Sequence, residues 1–491
     1  HNILTSVYDI RHFIMPNSYI LIKGATVISV EPSEGKPLYN WDILIENDRI
    51  KAVGRDLPLP EGNSSIIDAK NCIVTPGFVD GHHHMWQHLL RGITVDWSLF
   101  GYACHLRSVY GSLYTPDDVY FANYAAALSL LSNGVTTVLD HCHVINSPAH
   151  ADAAVKGLKD AAIRGTFCYG LYQNPKEPGD FASTATDTFD QAARVDDALR
   201  VRQEYFPTND PHSSLLTFGI ALNDPPTISR EQNIRELDLA RKLEARLTTV
   251  HASVVSHGTP KPEVVQNFVD AKLMGPDLVF SHGGWMTDDE LAAVLDSGAG
   301  IVGTPDTELQ MGMGYPVVWK AADMGCHAGL GLDITSNQGN DFMAQMRLAL
   351  QAQRAREYDH RTVGRDLRRK AVDALRMATL GGAEVMDMGS LIGSIALGKK
   401  ADLAIFRCDD IDTVPVVDPI ATVVFHASPK NIDTVIVDGK IVKQNGQLIG
   451  VDWEFLHDQM IRRSQRLRDE AAKVDMEKAE SLFRSIFEKV M

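Results

Sequence analysis

From Pro76 onward, short apolar runs alternate with longer segments whose apolar positions recur at helical spacing. That alternation is the pattern of βα units and a parallel sheet. Eight candidate strands fall near Phe78–His84, Thr136–His141, Gly165–Leu171, Leu215–Ala221, Leu247–His251, Leu278–His282, Gly300–Thr304 and Ala328–Asp333. Two helix starts are marked between them: Thr115-Pro-Asp-Asp, opening a stretch that runs to Leu131, and Thr287-Asp-Asp-Glu before Leu291 and Val294. Eight strands separated by helices predict an α/β fold built on a closed (β/α)8 barrel of the TIM type.

Outside that region the pattern is different. Tyr19–Lys23, Ala25–Val30 and Trp41–Ile45 read as strands, with breakers at Gly24 and Glu34–Pro37. After Gly389 strand-like runs return at Ala401–Phe406, Thr422–Phe425 and Thr434–Val437, the last closed by Asp438-Gly439. Residues 1–75 and 385–450 are therefore expected to form one small β-sandwich domain from both chain ends, around a barrel spanning 76–384. Residues 451–491, charged and amphipathic from Trp453, read as a helical tail.

Composition narrows the class. The 491 residues are 44% hydrophobic and 22% charged, which excludes a disordered or collagenous chain. Lys and Arg number 47 against 63 Asp and Glu, a net charge of −16 that disfavours nucleic acid or an anionic membrane as partner. No apolar run approaches the ~20 residues of a membrane helix. The stretch His1–Phe13 lacks the charged-then-apolar order of a secretion signal. The six cysteines are scattered singly, as in reduced, buried thiols, so the expected location is cytoplasmic.

The chemistry concentrates at strand ends. In Pro76-Gly-Phe-Val-Asp-Gly-His82-His83-His84, alternation along a strand puts His82 and His84 on one face and His83 on the other. His251, His282 and Asp333 each end a further predicted strand. Singly, each has a commoner role as a satisfied core histidine or a loop-capping aspartate. Five such groups at the C-terminal ends of parallel strands, where barrel active sites gather, point instead to a catalytic metal centre of the zinc or iron kind.

These residues carry a family resemblance. TPGFVDGHHHMWQHLLRG, SNGVTTVLDH, the His251, His282 and Asp333 strands, IGSIALGKKADLAIF and VIVDGKIV together resemble the amidohydrolase superfamily from about Tyr19 to Leu448. Leu89-Leu-Arg-Gly92 is similar to the branch holding cytosine, guanine and S-adenosylhomocysteine deaminases and the triazine chlorohydrolases. The resemblance implies that His82, His84, His251 and Asp333 bind one divalent ion, zinc first and iron second. Two-metal members carry a lysine on the fourth strand, and Leu215–Leu222 has none. It further implies that Asp333 takes a proton from the attacking water and passes it to the leaving group, and that His282 donates to developing charge or orients the nucleophile. The implied reaction is hydrolysis of a C–N bond in a small cyclic or aromatic molecule, deamination foremost. Family habit and the helical tail imply a homo-oligomer, a dimer or tetramer.

Two departures qualify that expectation. Deaminases of this branch place a glutamate three residues after the fifth-strand histidine, and here Val254 stands there. Amide cleavage or hydrolytic dehalogenation is therefore the alternative, with a non-catalytic scaffold behind both. The family's Pro-x-Ser-Asn after strand seven reads Pro305-Asp-Thr-Glu308, putting a carboxylate where a pocket-mouth loop is expected. Glu308 is a candidate substrate contact, together with His88, His141, Trp86, Trp97 and Trp285, the tryptophans as flat walls for a planar ring.

Overall fold

Eight parallel strands hold the middle of the chain, in sequence order through Phe78–His83, Val135–Cys142, Arg164–Gly170, Leu216–Ala221, Thr248–Ala252, Leu278–His282, Gly300–Gly303 and His327–Leu330. The structure is a computed structural model that describes residues 17–31, 35–180, 183, 189–255, 258–358 and 366–490. All eight predicted strands are present, with ends shifted by a residue or two except at the last, which stops at Leu330. The barrel closes just past that end. The His84 N–H donates to the Asp333 carbonyl (2.8 Å) and the Asp333 N–H to the His82 carbonyl (2.9 Å). Gly331 makes the approach feasible, because a Cβ there would lie 2.8 Å from the His82 carbonyl oxygen.

Helices cover the outside, and the cues that start them are satisfied as read. Thr115 and Thr287 each cap a helix, Pro116–Ser132 and Asp288–Ser297, in reciprocal boxes with Asp118 and Glu290. With helices outside and side chains inside, the barrel strands are buried on both faces, which is why they read as apolar runs rather than alternating ones.

Strands from the two ends of the chain form a second, mostly antiparallel sheet of nine strands, eight in one continuous hydrogen-bonded path and the ninth, Asn63–Asp68, beside Ser18–Val27. Its seam is Cys72–Pro76 against Leu403–Arg407, with Val74 opposite Ile405. Ile22, Ile43, Ile45, Val74, Leu403 and Ile405 share a hydrophobic cluster of its own. One predicted strand is not there: Thr422–His426 is a helical turn continuing from Pro419–Ala421. Asp418 caps it by accepting from the Ile420 and Ala421 N–H groups, and Pro419 opens it. A short apolar run cannot distinguish a strand from a buried helical turn, and the Asp-Pro signal decided the outcome. The Glu34 end of the predicted Glu34–Pro37 breaker and the His1–Phe13 stretch lie outside the described residues.

The tail is helical, as Trp453–Ala471 and Met476–Val490. The first helix packs on Pro116–Ser132, with Arg463 3.2 Å from Asp118 and the Phe455 and Phe121 rings 6.0 Å apart. The second leans on the helical segment 99–113, where Phe483 meets Phe100 at 5.1 Å and Glu480 pairs with His105 at 3.0 Å. All six cysteines are buried and unpaired. Among the described residues no helix is long and apolar enough to cross a membrane.

Candidate metal centre and active site

His82, His84, His251 and Asp333 converge at the C-terminal mouth of the barrel. His82 Nε2 and His84 Nε2 lie 3.4 and 3.3 Å from Asp333 Oδ1, and His251 Nε2 lies 3.3 Å from His84 Nε2. Four ligands held about 2.0–2.1 Å from a tetrahedral ion are themselves roughly 3.3–3.4 Å apart. The three measured edges therefore suit one small ion.

Proton positions agree. His84 Nδ1 is 2.7 Å from the His141 carbonyl, which can only accept, so Nδ1 carries the hydrogen. His251 Nδ1 is 2.6 Å from Asp224 Oδ1 and likewise donates. Burial holds His84 well below its usual pKa and takes His82 down to about 3, so both rings are neutral at neutral pH. His84 Nε2 and His251 Nε2 face each other at 3.3 Å while each Nδ1 donates elsewhere, an arrangement that suits a cation between them. His82 Nε2 is buried with no hydrogen-bond partner, while its Nδ1 is 2.8 Å from Ser281 Oγ. Burial opposes the charge of Asp333, yet His82, His282 and His251 outweigh it and hold the carboxyl ionised well below its ordinary range. The residues fit a divalent ion.

His282 faces this group: one of its ring nitrogens, one of His82 and a carboxylate oxygen of Asp333 all lie within 4.8 Å of one another. Its Nδ1 is 2.9 Å from Thr304 Oγ1 and 3.4 Å from Glu308 Oε1. Burial works against its charge, but Glu308, Asp333 and Asp224 outweigh it and raise its pKa. His282 (φ 74°) and Asp333 (φ 63°) both hold left-handed backbone at their strand ends. Such conformations cost on the order of 1–3 kcal/mol and collect at functional sites.

Above the histidines lies a cavity of about 90 Å³, lined by His84, Leu99, Tyr102, Ala103, Arg107, His143, Asp224, His251, Val254, His282, Thr307, Met311, Met313, Asp333 and Ile334. The other predicted contacts are elsewhere. Glu308 is buried behind His282, where its Oε1 also accepts from the Thr304 N–H at 2.8 Å. The loop after strand seven is the helix Pro305–Gln310, which turns this carboxylate inward rather than to the mouth. Trp86 is core, its indole packed edge-on to Tyr114 and bonded to His143. Trp97, beside His105, and half-buried Trp285 do not line the cavity either. His88 is buried in the turn Met85–Leu90, off the lining. His141 sits among the histidines, its Nε2 2.8 Å from the Tyr172 hydroxyl.

Sequence reasoning missed Asp224, Arg107, Tyr172 and His143. Asp224 follows the fourth strand in Asn223-Asp-Pro-Pro, and a carboxylate just past a barrel strand was a signal that could have been used. It holds His251 at 2.6 Å and accepts from Tyr172 at 2.9 Å. Arg107 comes from the helical segment between strands one and two, where nothing local marks it.

Comparison with known proteins matches this architecture. The amidohydrolase family model covers residues 73–442. A 5-methylthioadenosine/S-adenosylhomocysteine deaminase of Pyrococcus abyssi is 26% identical over 91% of this chain and 98% of its own. A 5'-deoxyadenosine deaminase of Methanobrevibacter smithii is 26% identical over 93% and 99%. Among solved structures, a zinc-bound adenosine deaminase of Xanthomonas campestris superimposes with TM-score 0.78 at 21% identity, over 93% of this chain and 99% of that one. The atrazine chlorohydrolase of Arthrobacter aurescens, complexed with zinc, gives 0.78 at 23% identity, over 91% and 100%. The barrel, its strand-end histidines and the family match over residues 73–442 place this chain in the amidohydrolase family.

Proposed function

We propose that this amidohydrolase deaminates a small, ring-containing substrate, using one divalent ion, zinc ahead of iron, held by His82, His84, His251 and Asp333. The observation that carries the reading is the pair of imidazoles, His84 and His251, whose Nε2 atoms face each other 3.3 Å apart beside Asp333 while each Nδ1 donates elsewhere. A divalent ion bound there would lower the pKa of water from 15.7 to about 7 and so supply hydroxide at neutral pH.

The chain's own residues do the rest. Asp333 Oδ1 lies against His82 and His84, leaving Oδ2 to accept the proton of the attacking water and return it to the leaving amine. His282, anchored through Nδ1 by Thr304 and Glu308, presents Nε2 to charge that develops on the substrate. Asp224 and the His141 carbonyl fix the ring orientations of His251 and His84. Leu99, Val254, Met311, Met313 and Ile334 supply apolar walls around the reacting atoms. A water occupies ~10–15 Å³ by the same measure, so a cavity of about 90 Å³ has room for a one-ring heterocycle.

Val254 supports a second reading. It lines the cavity where a ring-protonating acid would stand, which suits displacement of a leaving group that needs no such acid, as in amide cleavage or dehalogenation. The test is ammonia release from amino-substituted pyrimidines, triazines, purines and simple amides, with zinc-loaded wild type beside Asp333→Asn. Release by wild type alone supports deamination or amide hydrolysis, and the responding member identifies which. Chloride release from chlorotriazines with no ammonia overturns deamination in favour of the second reading.

A further inference from the structure

One side of the cavity offers hydrogen-bond donors that no partner among the described residues takes up. Arg107 lines it with its side chain 12% exposed and its Nε buried without a partner. The guanidinium is loosely held: its Nη1 is 3.7 Å from Asp224 Oδ2, beyond hydrogen-bond length, and the group lies 4.7 Å over the Tyr172 ring. His143 lines the same cavity. The Trp86 indole N–H can only donate, and it is 3.3 Å from His143 Nδ1, so Nδ1 accepts and the hydrogen sits on Nε2. That Nε2 is buried with no partner. Buried donors left unpaired cost free energy, and the usual reason for tolerating them beside a cavity is a ligand that pairs them.

We infer that Arg107 and His143 form a two-donor subsite for an anionic oxygen of the substrate, a carboxylate or an ionised ring oxo group. This rests on reading the cavity as the hydrolase's substrate site. Charge balance points the same way. A divalent ion and Arg107 together would carry one positive charge more than Asp333 and Asp224 offset, so the site favours an anion. Asp224 does not engage Arg107 in a hydrogen bond: its Oδ1 accepts from both His251 and Tyr172, and its Oδ2 stands 3.7 Å from Arg107 Nη1. Val254 lines the same cavity and cannot protonate a ring nitrogen, which leaves orientation of the substrate to its anionic edge.

The test is calorimetric binding of pyrimidine-5-carboxylate, its neutral carboxamide and barbiturate to wild type, Arg107→Met and His143→Phe, each with zinc and after metal removal. The expected result is an anionic probe bound about tenfold or more tighter than the carboxamide, the scale of one charge-assisted hydrogen bond. Preference for pyrimidine-5-carboxylate identifies a carboxylate, and preference for barbiturate an ionised oxo group. Arg107→Met should erase the preference and His143→Phe should reduce it, with the melting temperature of each variant confirming a folded protein. An equal affinity of wild type for all three probes, a preference that survives Arg107→Met, or one that vanishes when only the metal is removed would each overturn the subsite. Retained preference in a protein that releases no ammonia from any substrate would count against deamination and leave the subsite standing.

Discussion

The floor and the wall of this cavity are built on opposite terms. On the floor, His82, His84, His251 and His282 are each held through one ring nitrogen by a neighbour: Ser281, the His141 carbonyl, Asp224 and Thr304 with Glu308. All four rise from barrel strands or their ends, and the backbone that closes the barrel passes through Asp333 itself. The wall carrying Arg107 belongs to the helical segment 99–113, which the tail helix braces through Phe483 and Glu480. Its donors are short of partners. The floor is complete in itself apart from a cation, whereas the wall is completed by what binds. Chemistry shared across a family suits the first arrangement, and substrate choice suits the second.

Breaking the floor should have the largest effects. Asp333→Asn removes the proton acceptor without changing shape, and kcat should fall by about 10²–10⁴-fold while the far-ultraviolet dichroism is retained. Turnover within tenfold of wild type would remove Asp333 from that role. Stripping the metal should lower the melting temperature as well as activity, because only the folded chain assembles the ligand set; free metal at 100 times Kd stabilises by about 2.7 kcal/mol. A melting curve unchanged after verified metal loss would contradict the centre. Asp224→Asn leaves every ligand in place but weakens the hold on His251, and competition with a chelator should show metal affinity about 10–100-fold weaker.

Smaller effects sharpen the boundary between floor and wall. Burial lowers the pKa of His282, and Glu308 is the first of the carboxylates that lift it again. Glu308→Gln removes that lift, so the protonated ring is lost at lower pH and the alkaline limb of kcat/KM should move to lower pH. An unmoved limb would mean that His282 does not set it. His105→Ala breaks the part-exposed pair with Glu480, worth about 0–1 kcal/mol, and should leave the melting temperature within a degree or two. A larger fall, with KM raised and kcat kept, would show that the tail governs the wall.

Some of this was readable residue by residue. The barrel strands announce themselves because both faces are buried, and the helix starts because Thr115 and Thr287 satisfy their own first turns. His82, His84, His251, His282 and Asp333 were legible because they stand at the ends of four predicted strands, and parallel strands closing into a barrel must bring such ends together. Thr422–Phe425 was misread as a strand because so short a run carries no period.

The rest depended on distances across the chain that no local pattern encodes. Glu308 looks like a loop carboxylate until the helix Pro305–Gln310 turns it against His282. Trp86 looks like a pocket wall until its indole is found in the core, bonded to His143. Arg107 and Asp224 are separated by more than a hundred residues and meet only because the segment before strand two folds over the end of strand four. Sequence alone determined which groups stand at the barrel's mouth, since strand periodicity and topology are enough to aim them. Tertiary structure decided which polar groups are left unpaired there, because satisfaction of a buried donor depends on whatever packs beside it.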